Sequence, residues 1–350
     1  MLEEEVLKVN AAIIGCGRMG YRGLGSAKAK ALTAHSEAYI ANPHVNLVAL
    51  SESDPQRRAE VAEGGHKVYS DYRQMLRDER IDILSICTRT ESHAEICIEA
   101  APHVKVIFCE KPIAAGLTDA AAMIGACRKH RTLLAINHAR RWHARLAQAR
   151  KLVPGIGDIV GISARCNIGL MNTGTHLFDT LRFLFGEIIE VRGRVLLDGN
   201  DDPGGRADLR FAGGFVANIE SAWYEYNCFE LDAHGTKGIL SWNETTKEGL
   251  VVYRQGRHFA GDAFELSRHR IPARTPKPMI MGAVDNLVEC VRGRATPICD
   301  GNDGYKAVET AVACHLSSMN GGAAIALPLP AGQGLRILPR QTSLTKSGKL

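Results

Sequence analysis

Val9-Asn10-Ala11-Ala12-Ile13-Ile14-Gly15-Cys16-Gly17-Arg18-Met19-Gly20 sets a short apolar run directly before the pattern G-x-G-x-x-G. The run is continuous rather than alternating, which suits a strand covered on both faces. In the turn that follows, Gly15 permits the tight bend and Gly17 lets backbone N–H groups approach a pyrophosphate. Gly20 lets the next helix pack on the strand. The glycines stand between a strand and an Ala-rich segment, the context in which this fingerprint signifies dinucleotide binding. Gly15, Cys16, Gly17, Arg18, Met19 and Gly20 are therefore cofactor-binding candidates.

Outward from this turn, apolar runs recur at Val45–Leu50, Ile81–Cys87, Val104–Cys109 and Leu133–Ile136. Helical stretches separate them. One starts at Asp54-Pro55, where Asp suits the N-cap and Pro the first turn. Others start near Ser70-Asp71, cover Glu91–Ala101 and begin at Thr118-Asp119. Such alternation predicts an α/β Rossmann domain over residues 1–137, a doubly wound parallel sheet. Glu52 ends the second strand, where a carboxylate accepts from ribose hydroxyls and repels a 2′-phosphate, so NAD is preferred over NADP. Arg57 and Arg58 lie close enough to keep a phosphate-bearing cofactor in play. Gly20 and Glu52 stand further apart than the usual ~20 residues, which predicts an insertion around Gly23–His35.

After Asn137 the pattern changes. Arg206–Phe211 and Phe215–Ser221 alternate apolar and polar residues around Ala212-Gly213-Gly214, a hairpin signature. Further strand-like runs are Ile159–Cys166, Ile188–Leu197, Phe229–Ala233 and Leu250–Arg254, with helices near Ile280–Arg292 and Tyr305–Met319. This predicts a C-terminal α+β domain over 138–335 with a large open-faced, mainly antiparallel sheet, and a basic tail over 336–350.

Composition excludes several classes. Net charge is +5, with basic residues dispersed, so no nucleic-acid stripe is expected. No stretch approaches the roughly 18 apolar residues of a membrane span. The start of the chain, Met1-Leu2 and then three acids, lacks a signal-peptide pattern. The ten cysteines include no C-x-x-C pair, and most sit in apolar stretches. They read as buried thiols in a reducing compartment, without a metal site, and the expected location is the cytoplasm.

Two further motifs carry chemistry. Cys109-Glu110-Lys111-Pro112 follows the strand ending at Phe108, on the edge of a parallel sheet where ligands bind. An ammonium there, at Lys111 beside Glu110, can stabilise a developing alkoxide. In Asn172-Thr173-Gly174-Thr175-His176-Leu177-Phe178-Asp179 a helix is expected to start near Thr173, putting His176 in its first turn. Imidazole exchanges protons near neutral pH. Asp179, one turn on, is placed to orient it.

Taken together these residues resemble the Gfo/Idh/MocA family of oxidoreductases, the glucose–fructose oxidoreductase and inositol dehydrogenase type. The resemblance runs through Ile13 to Gly20, Leu47 to Glu52, Thr88 to His93, Glu110-Lys111-Pro112, Gly155 to Ile159, Gly174-x-His176-x-x-Asp179, Gly235 to Gly238 and Leu327-Pro328-Leu329. It implies a Rossmann domain followed by an open-faced sheet domain, with the active site between them and dimers or tetramers formed through the sheet. It implies further that Lys111 contacts nicotinamide ribose and substrate, that its bond to Pro112 is cis, and that His176 takes the proton of a substrate hydroxyl while hydride leaves the same carbon. Thr88, His93 and Glu110 join the cofactor site on this resemblance.

The expected activity is NAD(P)-dependent oxidation of a secondary alcohol in a sugar, polyol or sugar derivative. Competing readings are a glycosidase that uses NAD without net redox, and a non-catalytic NAD-sensing regulator. Three departures bear on the choice. Asn172 stands where the family pattern often has Asp, and an amide cannot hold a negative charge. Thr88-Arg89-Thr90 replaces T-P-N, and Arg89 offers a cation to the substrate. The stretch from Ile159 to Asn172 is short, which implies an open site fit for larger, including nucleotide-linked, sugars. Substrate-binding candidates are Arg89, Asn137, Arg141, Arg165, Asn172, His176 and Tyr224.

Overall fold

The strand that precedes the glycine turn, β1 (Val9–Ile14), lies at the centre of a six-stranded sheet. In this computed structural model residues 8–21, 32–167, 169–196, 202–246, 248–272 and 277–339 are described. The first sheet alternates strands with helices: α1 (His35–Ala41), β2 (Val45–Ser51), α2 (Pro55–Glu63), β3 (Val68–Tyr69), α3 (Tyr72–Asp78), β4 (Ile83–Ile86), α4 (Thr90–Ala100), β5 (Val106–Cys109), α5 (Leu117–His130) and β6 (Leu133–Ile136). The strand order is β3-β2-β1-β4-β5-β6, and every pairing is parallel. This is the dinucleotide-binding order, with its crevice where the order reverses between β1 and β4. Residues of β4 and β5 are buried throughout, as a sheet covered on both faces requires. Asp54 and Asp71 cap α2 and α3 by accepting from the Arg57 and Arg73 amides at 2.7 and 2.9 Å. The two-residue strand β3 has too little sequence to show a period.

The second half builds a nine-stranded sheet. Its elements are α6 (Ala144–Leu152), β7 (Ile159–Asn167), α7 (Thr175–Phe185), β8 (Ile188–Val195), β9 (Gly205–Phe211), β10 (Val216–Ala222), β11 (Phe229–Gly235), β12 (Gly238–Asn243), β13 (Gly249–Ala260), β14 (Ala263–Arg270), α8 (Met279–Val291), α9 (Gly301–Met319) and β15 (Ile325–Ala326). The order is β14-β13-β12-β11-β7-β10-β9-β8-β15, antiparallel except for β7 with β10. Residues of β9 alternate strictly between buried and exposed, so one face is core and the other open. On the open face Arg165 pairs with Glu230 and Glu220, and Arg206 with Glu220. Phe211, Phe229 and Trp242 of the covered face share a core with Phe178 of α7, each fully buried and contributing roughly 2–3 kcal/mol of apolar transfer.

Three features depart from the sequence expectation. β12 and β14 are additional strands, and β13 extends well past Arg254. Helix α8 does not serve the second sheet. Its Ile280, Ala283, Val284, Leu287 and Val288 share a core with Val9, Ile13, Val106 and Phe108 of the first. The basic tail is not wholly apart either: Ile337 is buried, its amide donates to the Ala115 carbonyl at 2.8 Å, and Arg336 pairs with Asp119 at the start of α5. Residues 340–350 lie outside the described residues. Among the described residues no helix is long and apolar enough to cross a membrane, and no cluster of His, Cys, Asp and Glu is suited to a metal ion. All ten cysteines are unpaired.

Candidate active site

Gly15 leaves β1 with φ of +89°, and its amide donates to the Ser51 carbonyl at 2.9 Å, so the turn crosses the end of β2. A Cβ on Gly20 would sit 1.9 Å from the Gly15 carbonyl oxygen, whereas a Cβ on Gly17 would meet nothing within 4 Å. Gly17 therefore faces an opening, a groove of about 540 Å³ lined by Gly15, Gly17, Glu52, Ser53, Cys87, Thr88, Arg89, Glu91 and Ser92. Glu52 accepts from the Cys16 amide at 2.8 Å and the Asp54 amide at 3.0 Å, which fixes its carboxylate on the groove wall. The residues fit a dinucleotide: bare backbone where a pyrophosphate needs it, and an acid where ribose hydroxyls need an acceptor. Burial and the adjacent Glu52 push the Cys16 thiol up to about 12, so it is a structural group.

The helix after the turn is interrupted. Tyr21 donates to Gly17 O as in a helix, but the bonds to Met19 O and Gly20 O come from His35 and Ser36. In an unbroken helix the residues four positions after Met19 and Gly20 would make them, so twelve residues are inserted. Taking twelve from the 32 positions between Gly20 and Glu52 restores the spacing of about 20. Most of the insertion, residues 22–31, lies outside the described residues.

Lys111 follows β5, and its bond to Pro112 is cis. Its Nζ donates to Asn172 Oδ1 at 2.6 Å and to the Asn172 carbonyl at 3.0 Å. Burial lowers the ammonium to about 8, against the neighbouring Glu110 charge, while Arg140 and Arg18 lower it further. Glu110 points the other way, into the protein. It accepts from Asn137 Nδ2 at 2.7 Å and is paired with His35 Nε2 at 3.0 Å, and His35 Nδ1 meets Ser85 Oγ, which in turn meets Tyr39. Burial raises the Glu110 carboxyl, but His35, Asn137 and Lys111 together outweigh it and hold the group ionised.

His176 sits in the first turn of α7, behind a wide π-type turn at Leu170–Gly174. Such turns concentrate at functional sites. Buried Asp202 pins this turn, accepting from the Met171 and Asn172 amides at 2.8 Å each. A Cβ on Gly169 would lie 2.6 Å from Asp202 Oδ2, so glycine is needed there. His176 Nδ1 lies 3.4 Å from His138 Nδ1. Burial first, then the charges of Lys111 and Arg140, hold His176 well below the ordinary imidazole value, so it is a neutral base at neutral pH. Lys111, Asn172 and His176 are thus brought together.

Other sequence candidates are placed elsewhere. Arg57 braces the glycine turn, donating to the Cys16 and Tyr21 carbonyls at 2.7 and 2.9 Å and pairing with Glu60. His93 is buried, its ring against the backbone carbonyls of Pro112, Ile113 and Thr88. Asn137 is buried, its Nδ2 donating to Glu110. Arg141 is buried in a bidentate pair with Asp179 at 2.9 and 2.7 Å and also holds Asp303, so neither Arg141 nor Asp179 serves the role expected of it: the guanidinium is spent and Asp179 does not touch His176. Arg165 belongs to the ion pairs of the open sheet face, and Tyr224 packs on Tyr226. Arg18 is exposed on the turn, and Thr88 and exposed Arg89 line the groove. Sequence reasoning missed His35, His138 and Asp202, and reached Arg140 only as part of the basic run Arg140 to Arg145. Of the missed residues, His138 stands two positions before that run, which is the nearest visible signal.

Comparison with known proteins places this geometry. The chain is 28% identical over 345 residues to an uncharacterized oxidoreductase, YrbE, of Bacillus subtilis, covering 89% of this chain and 94% of that one. It is 26% identical over 328 residues to the myo-inositol 2-dehydrogenase of Thermotoga maritima, covering 85% and 92%. Among solved structures, levoglucosan dehydrogenase in complex with NADH and levoglucosan superposes with a TM-score of 0.79 at 22% identity, over 92% of this chain and all of that one, a likeness of fold. Residues 9–138 match the oxidoreductase family's NAD-binding Rossmann fold and residues 169–327 its C-terminal alpha/beta domain, so the chain belongs to the Gfo/Idh/MocA oxidoreductase family.

Proposed function

We propose that the protein oxidises a secondary hydroxyl of a sugar, polyol or sugar derivative with NAD. The observation that carries this is the Lys111 ammonium held on Asn172, with the His176 imidazole one turn along, and with Arg18 of the glycine turn near enough for its charge to act on Lys111. Backbone amides of Gly15 to Gly20 would hold the pyrophosphate and Glu52 the adenosine ribose, which supports NAD over NADP. When bound, the nicotinamide supplies a hydride acceptor at the carbinol carbon.

The chain's own groups supply the rest. Asn172 aims Lys111, whose N–H groups steady the hydroxyl oxygen as it gains negative charge. His176, neutral because it is buried among cations, takes the hydroxyl proton. Asp202 fixes the turn that carries Asn172. Glu110, locked by His35 and Asn137, keeps a negative charge beside Lys111 that favours its protonated form. The open, ion-paired face of the second sheet supports association with a second copy of the chain, testable by light scattering of the purified protein.

The test is a panel of inositols, monosaccharides, anhydrosugars and nucleotide sugars offered with NAD or NADP. Appearance of reduced nicotinamide with at least one substrate, and more with NAD than NADP, is expected. Absence of reduction across the panel with cofactor demonstrably bound would overturn the reading.

A further inference from the structure

We infer that His138 is a positioning residue for His176, bonded ring to ring so that the proton-accepting nitrogen of His176 faces the substrate; this rests on the dehydrogenase reading. His138 lies two residues after the end of β6. Its amide donates to the Ile136 carbonyl at 2.8 Å and its carbonyl accepts from Arg141 at 2.9 Å, so its backbone is fixed from both sides. Its ring meets that of His176 edge to face, with centroids 5.3 Å apart and planes at 85°. The contact joins Nδ1 to Nδ1 at 3.4 Å.

Two neutral imidazoles can bond through like nitrogens only when one carries the proton and the other does not. To accept a hydroxyl proton His176 needs a bare Nε2. Its own proton then sits on Nδ1 and is donated to the bare Nδ1 of His138, which keeps its proton on Nε2. That Nε2 is buried without a partner among the described residues, so nothing there competes for the opposite arrangement. When substrate gives up its proton, the new N–H bond forms at His176 Nε2 and the O–H bond breaks. The positive charge strengthens the bond to His138 without a proton leaving the pair.

The surroundings leave this role to His138. Asn172 cannot hold a charge, and it is engaged with Lys111. Lys111 and Arg140 face His176, and both are cations. Asp179, Arg141, Lys111 and Glu110 face His138, but Asp179 is bound to Arg141 and Glu110 to His35 and Asn137. Burial holds His138 at about 4, which keeps it an acceptor through the neutral range.

The test has an arm that does not need turnover. In the full-length protein, long-range ¹H–¹⁵N spectra should show His176 protonated at Nδ1 and His138 bare at Nδ1. His138→Phe should lower kcat on the order of tenfold to a hundredfold, the scale at which partners that orient a working imidazole act, with KM held within about twofold. It should also move the acid limb of the kcat profile, and His138→Gln, which can still accept from Nδ1–H, should recover part of the rate. A spectrum with His176 protonated at Nε2, or a His138→Phe enzyme with unchanged kcat and acid limb, overturns the inference. If the Phe variant fails to fold, the wild-type spectrum and the Gln variant decide it. A wild-type protein that reduces no NAD with any alcohol sinks the dehydrogenase reading instead, while the tautomers still decide the pairing.

Discussion

The two sides of the cleft are made of different material. The side proposed for the cofactor is largely backbone: Gly15, Gly17 and Gly20 work by what they lack, and Glu52, Thr88 and Arg89 add side chains to its wall. The side proposed for the substrate is side chains gathered from distant elements, with Lys111 after β5, His138 after β6, Asn172 and His176 around the start of α7, and Asp202 reaching in from before β9. A backbone site tolerates change at its neighbours but none at its glycines. A side-chain site depends on every buried pair that fixes the spacing between elements. Several of those contacts carry a charge here, Lys111 on Asn172, Asp202 on the turn amides and Arg141 on Asp179, which makes this side costly to disturb.

The largest effect is expected where that dependence is greatest. Arg141→Met leaves Asp179 buried without its bidentate partner, and breaking such a pair costs about 3–5 kcal/mol. Urea unfolding should show that loss, and a loss below 1 kcal/mol would mean the pair is solvated. Next comes Lys111→Met. It removes one donor to the developing oxyanion, so kcat should fall roughly 10²- to 10³-fold, with the affinity for NADH by fluorescence titration little altered. If cofactor affinity fell as far as kcat, the division between the two sides would be false.

Acidity tests the same division without mutating the cofactor side. Burial depresses His138 to about 4 in the folded chain, against an ordinary value of 6.5. The unfolded chain therefore takes up this proton first. The stabilising contribution is complete above pH 6.5 and is lost as pH falls towards 4, approaching about 3 kcal/mol for this one group. His138→Phe should unfold at wild-type urea concentration or later in acid, and its advantage should vanish above pH 7. At the other end, Lys111 loses its charge as pH rises through about 8. Alcohol oxidation should decline there, and the decline should be absent in Lys111→Met.

The contrast also explains what could be read from the chain alone. The first sheet was legible because a strand buried on both faces must be continuously apolar, and because the pyrophosphate turn demands glycines at fixed offsets. Lys111 and His176 were legible as groups of suitable chemistry after a parallel strand and at a helix start, and the family pattern gave them their specific roles. Arg141 and Asp179 misled because a cation and an acid near a cleft look the same whether they face ligand or each other, and only tertiary packing decides. His35 was hidden by the insertion, which moved it twelve residues from the turn it belongs to. Asp202 reaches Asn172 through backbone amides 30 positions away, and neither partner's sequence neighbourhood marks it. β14 was missed because every one of its residues is exposed, so no apolar period exists to find.

The smallest effect is the sharpest probe of the cofactor side. Gly17→Val adds a branched side chain where nothing lies within 4 Å, so folding should be almost untouched, with a thermal midpoint near that of the wild type. The new methyl groups would occupy the space through which the amides reach the pyrophosphate, and NADH affinity should fall about tenfold or more, roughly 1.4 kcal/mol. Gly20→Ala makes the complementary test, because its Cβ would lie 1.9 Å from the Gly15 carbonyl oxygen and must displace the turn itself. That variant should lose stability and cofactor together. If Gly17→Val instead bound NADH as the wild type does, the opening beside Gly17 would not be where the dinucleotide lies, and the backbone account of this side would fail while leaving the Lys111–Asn172–His176 arrangement standing.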